Sequence, residues 1–273
     1  MAEIGHALVR AALVPVRSEP DVRAEQSSQE LLGAVLQVSE RRGEWARVAG
    51  EDGYEGWVQE GGLIFCSATA AEAWWDDAGG HPAVALDATL ADEASRVIAR
   101  LPWGARVAVA EGMVRLPDGR GGHLHEGQLV AWGERARDFP AEAPAVVTTG
   151  WRWLGVPYLW GGRTRWGADC SGFVQAIYRL HGFVLPRDSH QQAEVGARVD
   201  AGPGFQGCRP GDLLFFRGRD SDRVVHVALS LGGAEILHAA EPNGEVMPDD
   251  LAGGSDLQRS LAGRVSGVRR LFG

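Results

Sequence analysis

A cysteine followed by two histidines is the part of this sequence best suited to carry out chemistry. Cys170 stands in an Asp-Cys-Ser-Gly segment, and His226 and His238 follow in two short apolar runs. A thiol can attack a carbonyl, an imidazole can take the thiol proton, and a third group can orient the imidazole. The pattern therefore predicts covalent catalysis with Cys170 as the candidate nucleophile and the two histidines as candidates for the base and the orienting group.

The residues around Cys170 predict that it begins a helix. Asp169 is a good N-cap, Gly182 is a good C-cap, and between them lies an apolar stripe of helical spacing formed by Phe173, Val174, Ile177 and Leu180. The partial positive charge of a helix start stabilises a thiolate, so the thiol pKa is expected to fall below its usual value of about 8.5. The alternative is that Cys170 is a small buried residue, but its polar neighbours favour an exposed helix start.

The two histidines lie on predicted strands, 224–231 and 234–240, joined by Gly232-Gly233. A single histidine in such a strand is more often a core residue than a catalyst. A turn centred on Gly232 would place the two imidazoles side by side, whereas a two-residue Gly-Gly loop would shift the register by one and separate them. The functional interpretation therefore requires an odd loop or a bulge. A helix followed by an antiparallel sheet predicts an α+β domain.

The first half of the sequence contains an internal repeat. Residues 52–63 align without gaps on 118–129, and upstream 33–38 match 104–109. Each copy has short alternating runs separated by glycine turns, and the Asp52-Gly53 step of the first copy predicts a hairpin between strands at 44–49 and 56–59. Residues 139–144, rich in Pro and Ala, are interpreted as a linker, and 146–154 as a short helix. We predict three domains, at 1–68, 69–138 and 139–273.

Composition limits the possible partners and compartments. The formal net charge is −9, which argues against binding to nucleic acid or anionic membranes. The apolar run 7–16 has no basic region before it and no cleavage site after it, so it is interpreted as a first strand rather than a signal peptide. Three cysteines are too few and odd in number for a disulfide framework, and they form no CxxC pair, so no metal site is expected and no cofactor is predicted. A free working thiol fits a reducing compartment, so a cytoplasmic location is predicted.

These motifs resemble two known families. The Gly-Tyr-x-Gly-Trp-Val string at 53–58 resembles bacterial SH3-type (SH3b) barrels, and the second copy is weaker, with His123 where the first has Trp57. From residue 145 onward, the Asp-Cys-Ser-Gly-Phe-Val and Pro-Gly-Asp-Leu-Leu-Phe-Phe segments and the two histidine-bearing strands resemble the NlpC/P60 cysteine peptidase family. The resemblance implies two small all-β SH3-like barrels followed by an α+β papain-like domain. It also implies that Cys170 is the nucleophile, His226 the base and His238 the orienting group.

An NlpC/P60 domain after two SH3b units resembles the γ-D-glutamyl-L-diamino acid endopeptidases. The resemblance implies cleavage of peptidoglycan-derived peptides that carry a free N-terminal L-alanine, in cell-wall recycling. It implies that Asp169 meets the substrate ammonium and that Tyr158 lines the pocket and oxyanion region. It also implies that the first SH3b unit closes one end of the cleft, with an acid and a tyrosine that approach the substrate amine. The implied substrate-binding positions are Tyr158, Trp160, Asp169, Ser171, Ser189, Tyr54 and either Glu25 or Glu19.

Other interpretations remain open for the whole chain and for single residues. A secreted D,L-endopeptidase that remodels intact peptidoglycan would use the same catalytic residues and act on N-terminally blocked peptides. A catalytically retired SH3b binding protein would leave the Cys170 thiol unreactive near neutral pH. For Asp169 the structural alternative is a plain N-cap, for Tyr158 and Trp160 core packing, and for Ser189 a turn.

Overall fold

The computed structural model describes residues 5–76 and 80–272. The chain folds into two compact units, 1–135 and 136–273. The first unit holds two separate β-sheets, each with its own apolar core. The three predicted domains, 1–68, 69–138 and 139–273, stay predictions. None of the helices in the described residues is both long and apolar enough to cross a membrane.

The first sheet of the first unit is antiparallel, with strand order β3-β2-β6-β5-β4-β1-β7. The apolar run 7–16, predicted as a single first strand, is extended as predicted but is divided between two strands, 5–9 and 13–17; residues 1–4 lie outside the described residues. The predicted hairpin is confirmed: Asp52 Oδ1 accepts from the Tyr54 N–H at 3.0 Å, and Gly53 takes a φ of +76°. The strands are β1 Gly5–Val9, β2 Leu13–Arg17, β3 Gln26–Leu31, β4 Val35–Arg42, β5 Trp45–Ala49, β6 Glu55–Gln59 and β7 Leu63–Cys66.

The second sheet follows helix α1, Ala68–Asp76, and has strand order β10-β11-β12-β8-β9, with β10 also pairing β8. Its turn repeats the first copy, because Asp118 Oδ1 accepts from the Arg120 N–H at 3.1 Å. It departs from the first copy farther on, where β12 runs continuously through two bulges. A second SH3-like barrel therefore stays a prediction. The strands are β8 His81–Ala91, β9 Val97–Leu101, β10 Arg106–Ala110, β11 Met113–Arg115 and β12 Gly121–Ala131.

The second unit has the predicted α+β architecture. Its six-stranded antiparallel sheet has the order β15-β20-β16-β17-β18-β19, and helices α3 and α4 pack on β17. The helices are α2 Arg135–Asp138, α3 Ala143–Trp151, α4 Cys170–Leu180, α5 Ser189–Gln192 and α6 Asp256–Ala262. The strands are β13 Arg163–Thr164, β14 Gly167–Ala168, β15 Ala197–Val199, β16 Leu213–Arg217, β17 Val224–Gly232, β18 Glu235–Ala240, β19 Glu245–Asp250 and β20 Val265–Arg270.

The linker predicted at 139–144 is wrong, because this stretch packs into the second unit. The ring of Phe139 is buried and meets the ring of His181 edge to face, with centroids 5.7 Å apart. His181 Nδ1 lies 2.6 Å from the carbonyl oxygen of Pro140. The predicted helix at 146–154 begins three residues earlier, since Pro144 falls in the first turn, where its missing N–H is no loss.

Candidate active site

Cys170 is the first residue of α4, as the sequence predicts. Asp169 is the N-cap, with extended backbone angles, and its Oδ1 accepts from the Gly172 N–H at 2.8 Å. At the other end, Gly182 follows the C-cap His181 and takes a φ of +93°, which a glycine adopts at little cost. Both predicted helix boundaries are therefore confirmed.

The thiol of Cys170 is buried against strand β17, so the exposed helix start expected from its polar neighbours is wrong. Its residue is 8% exposed, and the backbone N–H groups of Val227 and Ser171 hydrogen-bond the sulfur. Burial, followed by the negative charge of Asp169, raises the pKa of the Cys170 thiol to about 12. The lowered pKa expected from the helix start is therefore wrong, because the loss of solvent outweighs the partial positive charge there.

The two predicted histidines are in direct contact. His226 Nε2 lies 2.8 Å from His238 Nδ1, so this contact is made through Nε2 of His226 and not through its Nδ1. His238 is fully buried, whereas His226 is half-buried beside the ring of Phe216, with ring centroids 5.3 Å apart. Burial, followed by the neighbouring imidazole of His238, lowers the pKa of His226 well below 6.5. His226 is therefore neutral near pH 7, the state that a base requires.

The register of the β17–β18 hairpin corrects one expectation and confirms another. Ser230 pairs with Ile236, and a bulge lies between Ser230 and Gly232. His226 is therefore diagonal to His238, and the predicted side-by-side pairing across a turn centred on Gly232 is wrong. The predicted alternative of a bulge is confirmed. Side chains alternate between the two faces of the sheet, and a two-residue loop alone would place the two histidines on opposite faces. The one extra residue of the bulge shifts the alternation by one, so both imidazoles lie on the same face.

Two residues beside His238 were missed by sequence reasoning. Asn243 Nδ2 lies 3.4 Å from His238 Nε2, and Asp249 Oδ2 lies 3.8 Å from the same nitrogen. Asn243 ends a 3-10 turn after β18, while Asp249 is on β19, which pairs with β18. The pairing of β18 with β19 brings Asp249 to the histidine, and no motif in the sequence marks it.

The carboxylate of Asp169 is held by several donors at once. The guanidinium of Arg187 donates to both oxygens, at 3.0 and 2.6 Å, and the Gly161 N–H donates to Oδ2 at 2.9 Å. The Ser171 hydroxyl accepts from Arg187 at 2.8 Å and donates to Asp169 at 3.2 Å. Arg187 is 1% exposed and was not predicted. The N-cap role of Asp169 is confirmed, and its contact with a substrate ammonium stays a prediction.

The other predicted binding residues of the second unit differ in exposure. Tyr158 is half-buried, and burial, followed by the charges of Cys170 and Asp169, raises the pKa of its phenol above 10. The phenol therefore stays protonated and can donate. Trp160 is 58% exposed, so core packing, its structural alternative, is wrong. Ser189 is buried at the start of α5. Their contacts with substrate stay predictions.

The SH3b residues predicted to reach the substrate lie in the first unit. Tyr54 packs partly buried against the core of the first sheet, while Glu25 and Glu19 are exposed. Their approach to a substrate stays a prediction. Among the side chains that the structure describes, those of 5–74 and 80–272, no group of three or more His, Cys, Asp or Glu could hold a metal ion.

Two family models match the chain. A model described as NlpC/P60 family matches residues 155–264, which contain the cysteine and both histidines. A model described as bacterial dipeptidyl-peptidase Sh3 domain matches residues 16–63, within the first sheet. The fold therefore combines an N-terminal SH3 domain with an NlpC/P60 domain.

Several known proteins are similar over most of the chain. A gamma-D-glutamyl-L-lysine dipeptidyl-peptidase of Bacillus cereus (strain ATCC 10987 / NRS 248) is 30% identical over 246 residues, covering 81% of this chain and 70% of that protein. Dipeptidyl-peptidase 6 of Lysinibacillus sphaericus is 28% identical over 289 residues, covering 98% of this chain and 100% of that protein. The crystal structure of an NlpC/P60 family protein from Bacillus cereus ATCC 10987 is alike in fold, with TM-score 0.79 and 23% identity over 98% of this chain and 100% of that chain.

Proposed function

The chain belongs to the NlpC/P60 family of cysteine peptidases, and from this premise we propose that it hydrolyses the γ-D-glutamyl–L-diamino acid bond of peptidoglycan-derived peptides. The observation that carries the proposal is the placement of the Cys170 thiol. It lies at the start of α4 against the strand that bears His226, whose Nε2 contacts His238. The dipeptidyl-peptidase of Bacillus cereus, named for the γ-D-glutamyl-L-lysine unit, supports the choice of bond.

Acylation begins from a neutral pair, because the pKa of Cys170 is raised and that of His226 is lowered. As the sulfur attacks the γ-glutamyl carbonyl, the thiol proton passes to Nδ1 of His226. The protonated phenol of Tyr158 and the N–H groups at the start of α4 stabilise the oxyanion. The C–N bond then breaks, and His226 returns the proton to the leaving amine of the diamino acid.

Deacylation reverses the proton path with water as the nucleophile. Nδ1 of His226 takes a proton from water, which attacks the thioester carbonyl of the acylated Cys170. The C–S bond breaks, and the proton returns from His226 to the sulfur. The products are the L-alanyl-γ-D-glutamate dipeptide and the free amine of the diamino acid, and the steps need no cofactor.

A free N-terminal L-alanine is the feature that we propose sets the length of the substrate. We propose that Asp169 pairs with the substrate ammonium by a charge-assisted hydrogen bond, and that Tyr54 and either Glu25 or Glu19 contribute to substrate selection. Trp160, Ser171 and Ser189 complete the proposed binding set. Selection for a free amine fits short imported fragments, so we propose a role in cell-wall recycling in the cytoplasm.

The proposal is tested with a panel of synthetic peptides and product analysis by mass spectrometry. L-Ala-γ-D-Glu-L-Lys and its diaminopimelate counterpart are compared with the same peptides acetylated at the L-alanine nitrogen. We expect cleavage after γ-D-glutamate in the free peptides and at least about a hundredfold slower cleavage of the acetylated ones, because a neutral amide cannot form the charge-assisted hydrogen bonds proposed for the ammonium. Equal rates on free and blocked peptides would instead indicate an endopeptidase that acts on intact peptidoglycan.

A further inference from the structure

We propose that Asp249 is a positioning residue that keeps His238, and through it His226, in the tautomer that catalysis requires. This inference rests on the proposed function, because it concerns how His226 becomes a base. Asp249 Oδ2 lies 3.8 Å from Nε2 of His238, whose side chain is fully buried, and the Asp249 side chain is itself 10% exposed. Water is therefore kept from the far side of His238, and protein groups determine which nitrogen carries its proton.

Asn243 and Asp249 both face Nε2 of His238, but only Asp249 favours one tautomer of the His238 ring over the other. The side-chain amide of Asn243, 3.4 Å away, can present either its oxygen or its nitrogen after a flip, so it fits both tautomers. The carboxylate of Asp249 can only accept. At 3.8 Å it is too distant for a good hydrogen bond, but its charge acts at that range and favours the proton on Nε2.

The tautomer of His238 determines whether His226 can act as a base. With the proton on Nε2, Nδ1 of His238 is an acceptor. It then accepts a hydrogen bond from the protonated Nε2 of His226, 2.8 Å away. Nδ1 of His226 is then an unprotonated base. In the opposite arrangement, His238 would donate to Nε2 of His226, whose own proton would then sit on Nδ1, and the base would be lost.

The position of Asp249 is itself fixed by neighbouring groups. Asp249 Oδ1 accepts from Gln258 Nε2 at 2.8 Å and from the Asp250 N–H at 2.9 Å, which leaves Oδ2 on the side of His238. Gln258 belongs to α6, where it also completes the capping box with Ser255. Helix α6 and strand β19 therefore hold the carboxylate against the histidine pair.

The test compares Asp249→Asn with Asp250→Asn in the full chain. An asparagine at 249 can still accept from Gln258, so the fold is preserved while the charge is removed. Asp250 is exposed, and its Oδ1 accepts from the Ala252 N–H, a bond that asparagine also keeps. The substrate is the L-Ala-γ-D-Glu peptide, and kcat, KM and the pH profile of kcat/KM are measured.

We expect kcat of Asp249→Asn to fall about tenfold with little change in KM, because the imidazolium that forms in the transition state loses a nearby anion. The loss of that anion also lowers the pKa of the histidine pair, so the acid limb should move to lower pH. Arg264, the other charged group that acts on His226, and the groups that act on the Cys170 thiol, Asp169 and Arg187, are unchanged. Asp249→Glu, which keeps the charge, should restore most of the rate and the position of the limb.

A wild-type profile in Asp249→Asn, or an equal loss in Asp250→Asn, would overturn the inference. A structural role alone would lower the rate without moving the acid limb. Histidine ¹⁵N NMR of the inactive Cys170→Ala background provides a readout that needs no substrate. There, replacing Asp249 by Asn should lower the population of the Nε2–H tautomer of His238, and an unchanged spectrum would also overturn the inference. If the wild type fails to cleave the peptide, the proposed function fails while this readout still decides the role of Asp249.

Discussion

The thiol of Cys170 and the imidazole of His226 are held neutral by opposite effects of the same burial. Loss of solvent disfavours the charged form of each group, so the pKa of the thiol rises while that of the imidazole falls. A thiolate–imidazolium pair is therefore absent from the resting enzyme, and the proton moves only when substrate is attacked. A catalytically retired protein and this enzyme would both show an unreactive free thiol, so alkylation near neutral pH does not distinguish them.

The pH dependence of alkylation tests the protonation state of Cys170. Because its pKa is raised to about 12, the thiolate fraction and hence the iodoacetamide rate should rise about tenfold per pH unit from pH 6 to pH 10. Peptide mass spectrometry separates Cys170 from the other two cysteines, Cys66 and Cys208, which are also free. Fast labelling that does not vary between pH 6 and pH 8 would show a resting ion pair and contradict the account.

Individual residues differ in how well the sequence identifies them. Cys170, His226 and His238 were found because each stands in a recognisable local segment. Arg187 was missed because arginine is rarely fully buried, and here it is 1% exposed beside Asp169. Asp249 was missed because its contact with His238 depends on the pairing of β18 with β19, which no local pattern fixes.

At the scale of elements, the start of α4 is held by a buried ion pair. Arg187 donates to both oxygens of Asp169, and Asp169 also caps the helix through the Gly172 N–H. Gly172 is required there for a second reason, since a Cβ at this position would overlap the carbonyl oxygen of Gly162. The helix that bears the nucleophile is thus positioned by charge and by close backbone approach.

Replacement of Asp169 by Ala should therefore destabilise the protein strongly. The free energy of unfolding of the second unit is expected to fall by about 3 to 5 kcal/mol, because the buried charge of Arg187 would lose the carboxylate that neutralises it. Urea unfolding followed by circular dichroism measures the change. Asp256→Ala is the control, since it removes a carboxylate paired with Arg259 on the exposed side of α6 and should leave the transition nearly unchanged. Similar small effects of both replacements would contradict a structural role for the ion pair.

In the β17–β18 hairpin, the sequence predicts the strands and the turn but not the pairing register of the two strands. Alternating apolar residues predicted both strands, and Gly232-Gly233 predicted the turn. The bulge before Gly232 was only one of the alternatives, because its formation depends on ladder hydrogen bonds rather than on a residue type. Since a shift of one residue moves a side chain to the other face, this small feature determines whether the two histidines meet.

At the scale of the whole molecule, the sequence indicated the fold classes of the domains better than it indicated the number of SH3-like barrels. The first sheet and the catalytic unit carry specific segments that match family models, at 16–63 and 155–264. The second sheet lacks the aromatic string of the first and closes through β10 and β8 instead. Its repeat was visible from the Asp-Gly turns, but short alternating runs fit many small barrels and do not fix a topology.

The proposed part of the first unit in substrate selection is tested by two matched acid replacements. If the acid that meets the substrate ammonium is Glu25, then Glu25→Gln should raise KM for the free L-alanyl peptide at least about tenfold, the effect of losing one charge-assisted contact. Glu19→Gln is then the matched control with unchanged KM, and the reverse pattern would assign the role to Glu19. Both carboxylates are exposed, so the fold should be preserved. Unchanged KM in both variants would contradict a contribution of these acids.

The most direct test of the central claim compares two cysteine-to-alanine replacements within the second unit. Cys170 and Cys208 are both buried and free there, but the Cys170 sulfur is hydrogen-bonded by the N–H of Val227, next to His226, whereas Cys208 packs in an apolar core cluster. The release of the diamino acid from L-Ala-γ-D-Glu-diaminopimelate is measured for the wild type and both variants. The account predicts that Cys208→Ala keeps the wild-type rate, whereas Cys170→Ala loses more than about a thousandfold. Equal rates for Cys170→Ala and the wild type would contradict it.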